Sequence, residues 1–144
     1  MDFFSGNIGV KPQVELGRRY FSVEQANRAL VLVERIIADV LKAYQHVMDQ
    51  QEILEVQQRR SNALQARRTQ ERIIELVETL QSFSDELIEI GAEMKDWSTG
   101  LVDFPALLNG REVQLCWRYG EKQVAFWHEI DDGCGGRRGL DTFQ

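Results

Sequence analysis

The chain has 144 residues, of which 43% are hydrophobic and 28% are charged, values typical of one globular domain with a real core. Its formal net charge of −6 disfavours the broad basic surface that nucleic-acid binding requires. Apolar runs such as residues 30–33 are far short of the ~20 residues of a membrane span. No secretory signal is visible in residues 1–9, so we expect a cytoplasmic protein whose cysteines, Cys116 and Cys134, are reduced and unpaired.

Residues 1–20 are predicted to form an irregular lead-in, because Gly and Pro recur in them. A helix is then predicted to begin at Ser22, whose side chain can cap the first turn. Gln25, three residues later, can reach back to the backbone N–H of Ser22. Glu24 would lie in the first turn, where the helix dipole favours a negative charge.

Two long stretches carry apolar residues at alternating spacings of three and four, which is typical of helices that pack lengthwise. The first stripe is Val23, Ala26, Leu30, Val33, Ile37, Val40, Tyr44 and Val47, and the second is Ile73, Leu76, Leu80, Phe83, Leu87, Ile90 and Met94. The polar stretch between them contains no Gly or Pro, and we place the turn near Ser61–Asn62. The sequence therefore predicts a long antiparallel, coiled-coil-like two-helix hairpin over residues 22–96, through which we expect the chain to dimerise.

After Gly100 the pattern changes to the period of two that is typical of strands. Asn109–Gly110 is a strong hairpin signal, since both central positions of a type I′ turn have positive φ. Gly120–Glu121 offers a second turn. The strands are predicted at residues 101–106, 112–118 and 123–130. We therefore expect a single α+β domain in which the helical hairpin packs on a three-stranded antiparallel β-meander (residues 100–131), followed by a glycine-rich tail (residues 132–144).

The two turns predict how the strands pair. Facing residues would have numbers that sum to 219 across the first turn and to 241 across the second, and side-chain alternation then assigns each residue to a face. The face predicted to cover the helices collects Val102, Phe104, Ala106, Val113, Leu115, Trp117, Val124, Phe126, His128 and Ile130. Pro105 cannot donate a ladder hydrogen bond, which favours an edge position for the first strand.

The opposite face of the meander is the candidate interaction surface. It is predicted to carry Asp103, Cys116, Arg118, Trp127 and Glu129. Asp103 would lie across from Cys116 and diagonal to Arg118, close enough for an ion pair with Arg118. An exposed Trp127 near Arg118 is typical of a surface that anchors a protein partner. The sequence thus favours a non-enzymatic interaction or scaffold protein.

The alternative is a small metal-binding protein or enzyme that uses Cys116, His128 and nearby carboxylates. Such side chains can bind zinc or iron. Under the predicted strand pairing, however, His128 points away from Cys116 and Asp103 and is buried towards the helices. A nucleophilic Cys116 would need a nearby base and a lowered thiol pKa; Arg118 could favour the thiolate, but Asp103 directly opposite would disfavour it, and a strand cysteine is more often a packing residue. We therefore predict no catalytic residue and no cofactor, and keep Cys116 and His128 as metal-ligand candidates.

Several motifs resemble the bacterial domain-of-unknown-function family 2203 over about residues 20–138. They are Phe21-Ser22-Val23-Glu24-Gln25-Ala26-Asn27, Gly100-Leu101-Val102-Asp103-Phe104-Pro105-Ala106, Gly110-Arg111-Glu112-Val113, Leu115-Cys116-Trp117-Arg118, Gly120-Glu121 and Trp127-His128-Glu129. The resemblance implies membership of that family but no activity. The tail departs from it, because relatives typically carry an aromatic-Ala-Gly-Arg run and then a proline where this chain has residues 134–139. The resemblance therefore implies no role for the tail.

Overall fold

The computed structural model describes residues 19–142, so all but the last two residues of the expected lead-in lie outside the described residues. The described part is an α+β fold, as predicted, but its sheet has five strands rather than three. The elements are α1 (Val23–Arg59), α2 (Ala63–Ile90), β1 (Glu93–Asp96), β2 (Leu101–Leu108), β3 (Arg111–Arg118), β4 (Phe126–Glu129) and β5 (Arg138–Gly139), with short 3-10 turns at Cys134–Gly136 and Leu140–Thr142. Within residues 19–142, neither α-helix combines the length and apolar character needed to cross a membrane.

The beginning of α1 confirms the predicted capping box. The Ser22 hydroxyl accepts a hydrogen bond from the Gln25 backbone N–H at 3.1 Å, and the Ser22 N–H donates to the Gln25 side chain at 2.9 Å. Glu24 lies in the first turn, as expected. These bonds satisfy two donors that a bare helix end would leave without partners, and so fix where α1 begins.

The turn of the hairpin lies where the sequence predicts it. Helix α1 ends at Arg59, Ser61 has a positive φ of 55°, and Asn62 caps α2 through its side chain. The two helices pack against each other along the two stripes, and the fully or almost fully buried positions include Val33, Ile37, Val40, Val47, Ile73 and Leu80.

Helix α2 ends earlier than predicted. Gly91, at φ 103°, caps the helix in the left-handed conformation, and its N–H donates to the carbonyls of Leu87 and Ile88. The chain then turns back as strand β1, which pairs with β2. Met94 continues the apolar spacing of the helix, but it belongs to β1 and faces Val102. The prediction of helix to residue 96 is wrong because Gly91 favours a helix end that the apolar spacing does not reveal.

The pairing of β2 with β3 confirms the first predicted turn. Facing residues sum to 219 along the whole ladder, so Asp103 faces Cys116 as expected. Asn109 and Gly110 both have positive φ, 52° and 81°, as a type I′ turn requires. Strand β2 is not an edge strand, because β1 covers its first residues, although the Pro105 carbonyl accepts from the Phe21 N–H outside the sheet ladders.

The pairing of β3 with β4 differs from the prediction by one residue. Facing residues sum to 242 rather than 241, so Leu115 faces Trp127 and Gln114 faces His128. The connection is a loop rather than a two-residue turn. It is held by Glu121, whose backbone carbonyl accepts from the Trp117 indole and whose carboxylate accepts from the Arg118 N–H. A shift of one residue reverses which face every side chain of β4 occupies.

One face of the sheet therefore packs on the helical hairpin with a different set of residues. Trp127, rather than Phe126, joins the core and is only 2% exposed, whereas Ile130 is 50% exposed. The rest of the predicted apolar face is confirmed as buried, namely Val102, Phe104, Ala106, Val113, Leu115, Trp117 and Val124. The opposite face carries the even-numbered residues of β3 and β4, and the glycine-rich tail folds against it.

Candidate metal centre

Three polar side chains meet on the sheet face that is turned away from the helices. Asp103 faces Cys116 across β2 and β3, and His128 lies on β4 diagonal to Cys116, facing Gln114. Asp103, Cys116 and His128 are all essentially buried. The prediction that His128 points away from the other two is therefore wrong, and the reason is the one-residue difference in pairing. His128 is buried, as expected, but it lies against Asp103 rather than against the helices.

The imidazole of His128 is held at both ring nitrogens. Its Nε2 lies 3.0 and 3.1 Å from the two carboxylate oxygens of Asp103, and its Nδ1 lies 2.7 Å from the Glu129 carbonyl. Both partners are acceptors, so both nitrogens donate when the ring is protonated. The predicted ion pair of Asp103 with Arg118 is replaced by this pairing of Asp103 with His128.

The pKa of His128 reflects a balance of burial and hydrogen bonding. Burial alone lowers it, because an apolar surrounding disfavours the charged ring. The hydrogen bonds to Asp103 and to the Glu129 carbonyl raise it, as does the negative charge of Asp103, whereas the positive charge of Lys95 lowers it. The net result is a pKa above the ordinary value for histidine, since the ring gains two acceptors on folding.

The tail supplies a fourth chemically active group to this cluster. Cys134 lies on the 3-10 turn after β4 and forms a disulfide with Cys116. The expectation that the two cysteines stay unpaired is thus wrong for this structure, because the tail folds back onto the sheet. Cys134 Sγ also lies 3.5 Å from an oxygen of Asp103.

A second contact fixes the tail against the sheet. The Arg137 guanidinium donates from one nitrogen to both carboxylate oxygens of Glu121, at 2.9 Å each, and lies 3.8 Å from the centre of the Phe126 ring. Two antiparallel residue pairs between β4 and β5 extend this contact between the tail and the sheet. The segment that carries Cys134 is therefore fixed to the sheet at both of its ends, by β4 before it and by Arg137 and β5 after it.

The four side chains form a compact set of possible metal ligands. Their donor atoms, which belong to Asp103, Cys116, His128 and Cys134, all lie within 4.8 Å of one another. Tetrahedral zinc with ligand bonds of about 2.0–2.3 Å separates its donors by about 3.3–3.8 Å. Small side-chain adjustments would therefore bring the four donors to zinc distances once the disulfide is reduced.

A cleft of about 340 Å³ opens beside the cluster, bordered by Asp103, His128, Cys134 and Lys95 among others. Gln114, only 6% exposed, also borders the cleft, and its side-chain oxygen has no hydrogen-bond partner. A buried acceptor without a partner is costly, on the order of 1–3 kcal/mol. The Gln114 oxygen thus offers a hydrogen-bond acceptor to whatever enters the cleft next to Asp103 and His128.

The structure separates the residues that the sequence placed on one interaction surface. Asp103 and Cys116 share the buried cluster, whereas Trp127 packs into the core on the other face. Arg118 is exposed at the end of β3. Glu129 forms a bidentate ion pair with Arg111, which lowers the pKa of the Glu129 carboxyl. The five residues do not form one accessible face.

Sequence reasoning missed two members of the site, Cys134 and Gln114. Cys134 lies in the segment that departs from the family pattern, and its contact with Cys116 depends on a tail fold that glycine content does not predict. The sequence signal that could have pointed to Cys134 was the small number of possible metal ligands, because the chain contains only two cysteines and two histidines. The only signal for Gln114 was its position two residues before Cys116, which places both side chains on the same face of the strand.

Comparison with known protein families places the chain. Residues 19–140 match the family described as "Uncharacterized conserved protein (DUF2203)", and the chain belongs to that family. No curated protein and no solved structure matches the chain. The family description assigns no activity.

The His128–Asp103 pair predicts a pH-dependent stability of the disulfide form. A histidine whose folded pKa is raised stabilises the fold fully below its unfolded pKa of about 6.5, and this contribution is lost as pH rises through the folded pKa. Urea unfolding of the oxidised protein with a chelator present should show stability falling as pH rises above about 6.5. His128→Gln should flatten this slope, and His46→Gln, on the exposed surface of α1, should leave it unchanged. Equal slopes in all three proteins would contradict the assignment.

Proposed function

We propose that this DUF2203 protein binds a zinc ion through Asp103, Cys116, His128 and Cys134 when its two cysteines are reduced. The observation that carries the proposal is the convergence of four donor groups, three of them buried, within 4.8 Å on one sheet face. Buried ionisable groups of this kind are rare without a partner or a metal. The mixture of sulfur, nitrogen and oxygen donors suits zinc, which accepts all three.

The hydrogen bonding of His128 supports its role as a ligand. A metal-bound histidine usually donates its other ring N–H to a carbonyl or carboxylate, which fixes the tautomer. Here the Glu129 carbonyl, at 2.7 Å, accepts from Nδ1, and Nε2 faces the Asp103 carboxylate, whose Oδ1 lies 3.5 Å from Cys134 Sγ. The ring is therefore already oriented with Nε2 towards the proposed ion.

The placement of the ligands on the fold favours a stable site. Asp103, Cys116 and His128 lie on three adjacent strands, whose backbone ladder fixes their relative positions. Ligands on rigid strands pay little entropy when a metal binds. Cys134 closes the site from the tail, which Arg137 holds against Glu121. A site with four protein ligands is typical of a structural or binding role.

Zinc titration of the reduced protein tests this proposal. We expect one zinc ion per chain with a dissociation constant in the nanomolar range or tighter, about 12 kcal/mol of binding free energy. Substituting cobalt should give the near-ultraviolet charge-transfer band of thiolate ligands. Cys116→Ser, Cys134→Ser and His128→Gln should each weaken binding by more than the ~10–100-fold that loss of a second-shell partner costs.

His46→Gln is the matched control, because it removes the other histidine at an exposed position and should bind zinc like the parent. Cys134→Ser lies on a half-buried turn and should fold even if the buried variants do not. Circular dichroism in chelator verifies folding of each variant. Zinc binding that is absent in the reduced parent, or that is as tight in folded Cys134→Ser as in the parent, would refute the site.

A second candidate function is self-association through the helical hairpin. The distal part of the hairpin exposes apolar side chains that its own partner helix leaves uncovered, namely Ile53 (44% exposed), Val56 (37%) and Leu64 (62%). Apolar side chains clustered near one end of an elongated element are typical of a protein contact. In this reading a second copy covers the tip, and the protein acts as an interaction module in the cytoplasm.

Analytical ultracentrifugation of the parent and of Leu64→Glu tests self-association. The parent should sediment as a dimer at micromolar concentration, and a charge at the exposed Leu64 should shift it towards monomer without loss of helix content. Glu78→Gln, farther along α2, is the control and should behave as the parent. A parent that remains monomeric at high concentration removes this candidate function and leaves the zinc proposal untouched.

A further inference from the structure

The disulfide and the proposed zinc site use the same two sulfur atoms. Cys116 and Cys134 are bonded to each other in this structure, and they are also two of the four donors in the cluster. Zinc binds thiolates, whereas a disulfide sulfur carries no negative charge and is a poor ligand. The disulfide form therefore retains only Asp103 and His128 as strong donors.

We infer that the site is a redox-controlled zinc switch, in which a peroxide converts the zinc-bound dithiolate into the Cys116–Cys134 disulfide and releases the ion. This inference rests on the proposed zinc function and adds its regulation. The disulfide form seen here is then the released state, and the reduced form is the zinc-bound state. Reduction by a cellular dithiol or by glutathione returns the protein to the form that binds zinc.

The chemistry balances with peroxide as the oxidant. The Cys134 thiolate attacks one peroxide oxygen, the O–O bond breaks, and Cys134 becomes a sulfenic acid while hydroxide leaves. The Cys116 thiolate then attacks Cys134 Sγ, the S–S bond forms as the S–O bond of the sulfenic acid breaks, and a second hydroxide leaves. Two protons from solvent convert both hydroxides into water. The two sulfur atoms together lose two electrons, the peroxide gains them, and zinc keeps its oxidation state.

Burial decides which cysteine reacts first. Cys116 is fully buried in β3, whereas Cys134 is half-buried on a turn that borders the open cleft. Oxidant can therefore reach Cys134 Sγ, and Cys116 acts as the resolving thiol behind it. The two residues are 18 positions apart in sequence, and the disulfide seen here establishes that their sulfur atoms can meet on this fold.

The structure also provides partners for the two ligands that zinc would leave behind. In the disulfide form His128 Nε2 is bonded to Asp103, and Nδ1 remains bonded to the Glu129 carbonyl. None of the four side chains that would bind zinc is therefore left buried without a partner when the ion departs. For these side chains, the free-energy cost of a buried unpaired polar group is avoided. Two stable arrangements of the same four side chains are what a switch needs.

Peroxide treatment of the zinc-loaded, reduced protein tests the switch. One equivalent of hydrogen peroxide should release one zinc ion, detected with a chromogenic chelator, together with loss of two thiols. Mass spectrometry should find a Cys116–Cys134 disulfide and no added oxygen. Dithiothreitol, once removed, should leave protein that binds zinc again. The disulfide form should bind zinc more than 100-fold more weakly than the reduced form. His46→Gln is the control and should release zinc like the parent.

The possible outcomes separate this inference from the proposed function. Tight zinc binding by the reduced form alone, with release on disulfide formation, supports both. Zinc bound equally by the reduced and disulfide forms overturns the switch and also the assignment of the two thiolates as ligands. Tight zinc binding by the reduced form that peroxide does not release overturns the switch and leaves the binding function. Zinc release that accompanies sulfinic acid without a disulfide also overturns only the switch. A reduced protein that binds no zinc overturns both.

Discussion

The pairing of β4 with β3 is the constraint on which the candidate site depends. Because Gln114 faces His128 in this ladder, the imidazole lies on the same face as Asp103 and Cys116, and Trp127 lies in the core. A shift by one residue would bury His128 against the helices and expose Trp127. The loop that sets the pairing is fixed by Glu121, which also binds Arg137 of the tail. One residue thus links the strand pairing to the placement of Cys134.

The division between the two sheet faces assigns separate tasks to them. One face, with Trp117 and Trp127 at its centre, closes the core over the helical hairpin. The other is covered by the tail, which brings Cys134 beside Asp103 and Cys116, places Arg137 over the Phe126 ring and adds a short fifth strand next to β4. Asp103 and His128 are buried there as a hydrogen-bonded pair, whereas the core face is stabilised by apolar burial. We therefore propose a function for the face that the tail covers, because the hydrophobic effect does not account for the polar side chains buried there.

Much of the fold follows from local sequence signals. The capping box at Ser22 and the Asn109–Gly110 turn are confirmed. The two helical stripes are confirmed as well, except that Met94 lies in β1. The candidate site could not be predicted in the same way. It depends on the length of one loop, where a single residue changes the face of His128, and on contacts of a glycine-rich tail whose position is fixed by distant partners such as Glu121. Tertiary contacts, rather than local preference, decide both.

Zinc K-edge X-ray absorption of the reduced, zinc-loaded protein tests the central claim most directly, because it identifies the atoms bound to the ion. The account predicts four-coordinate zinc with two sulfur ligands at about 2.3 Å and two nitrogen or oxygen ligands at about 2.0–2.1 Å. Cys134→Ser should reduce the sulfur count from two to one. A spectrum with only oxygen and nitrogen ligands, unchanged in this variant, would place the ion elsewhere and contradict the account.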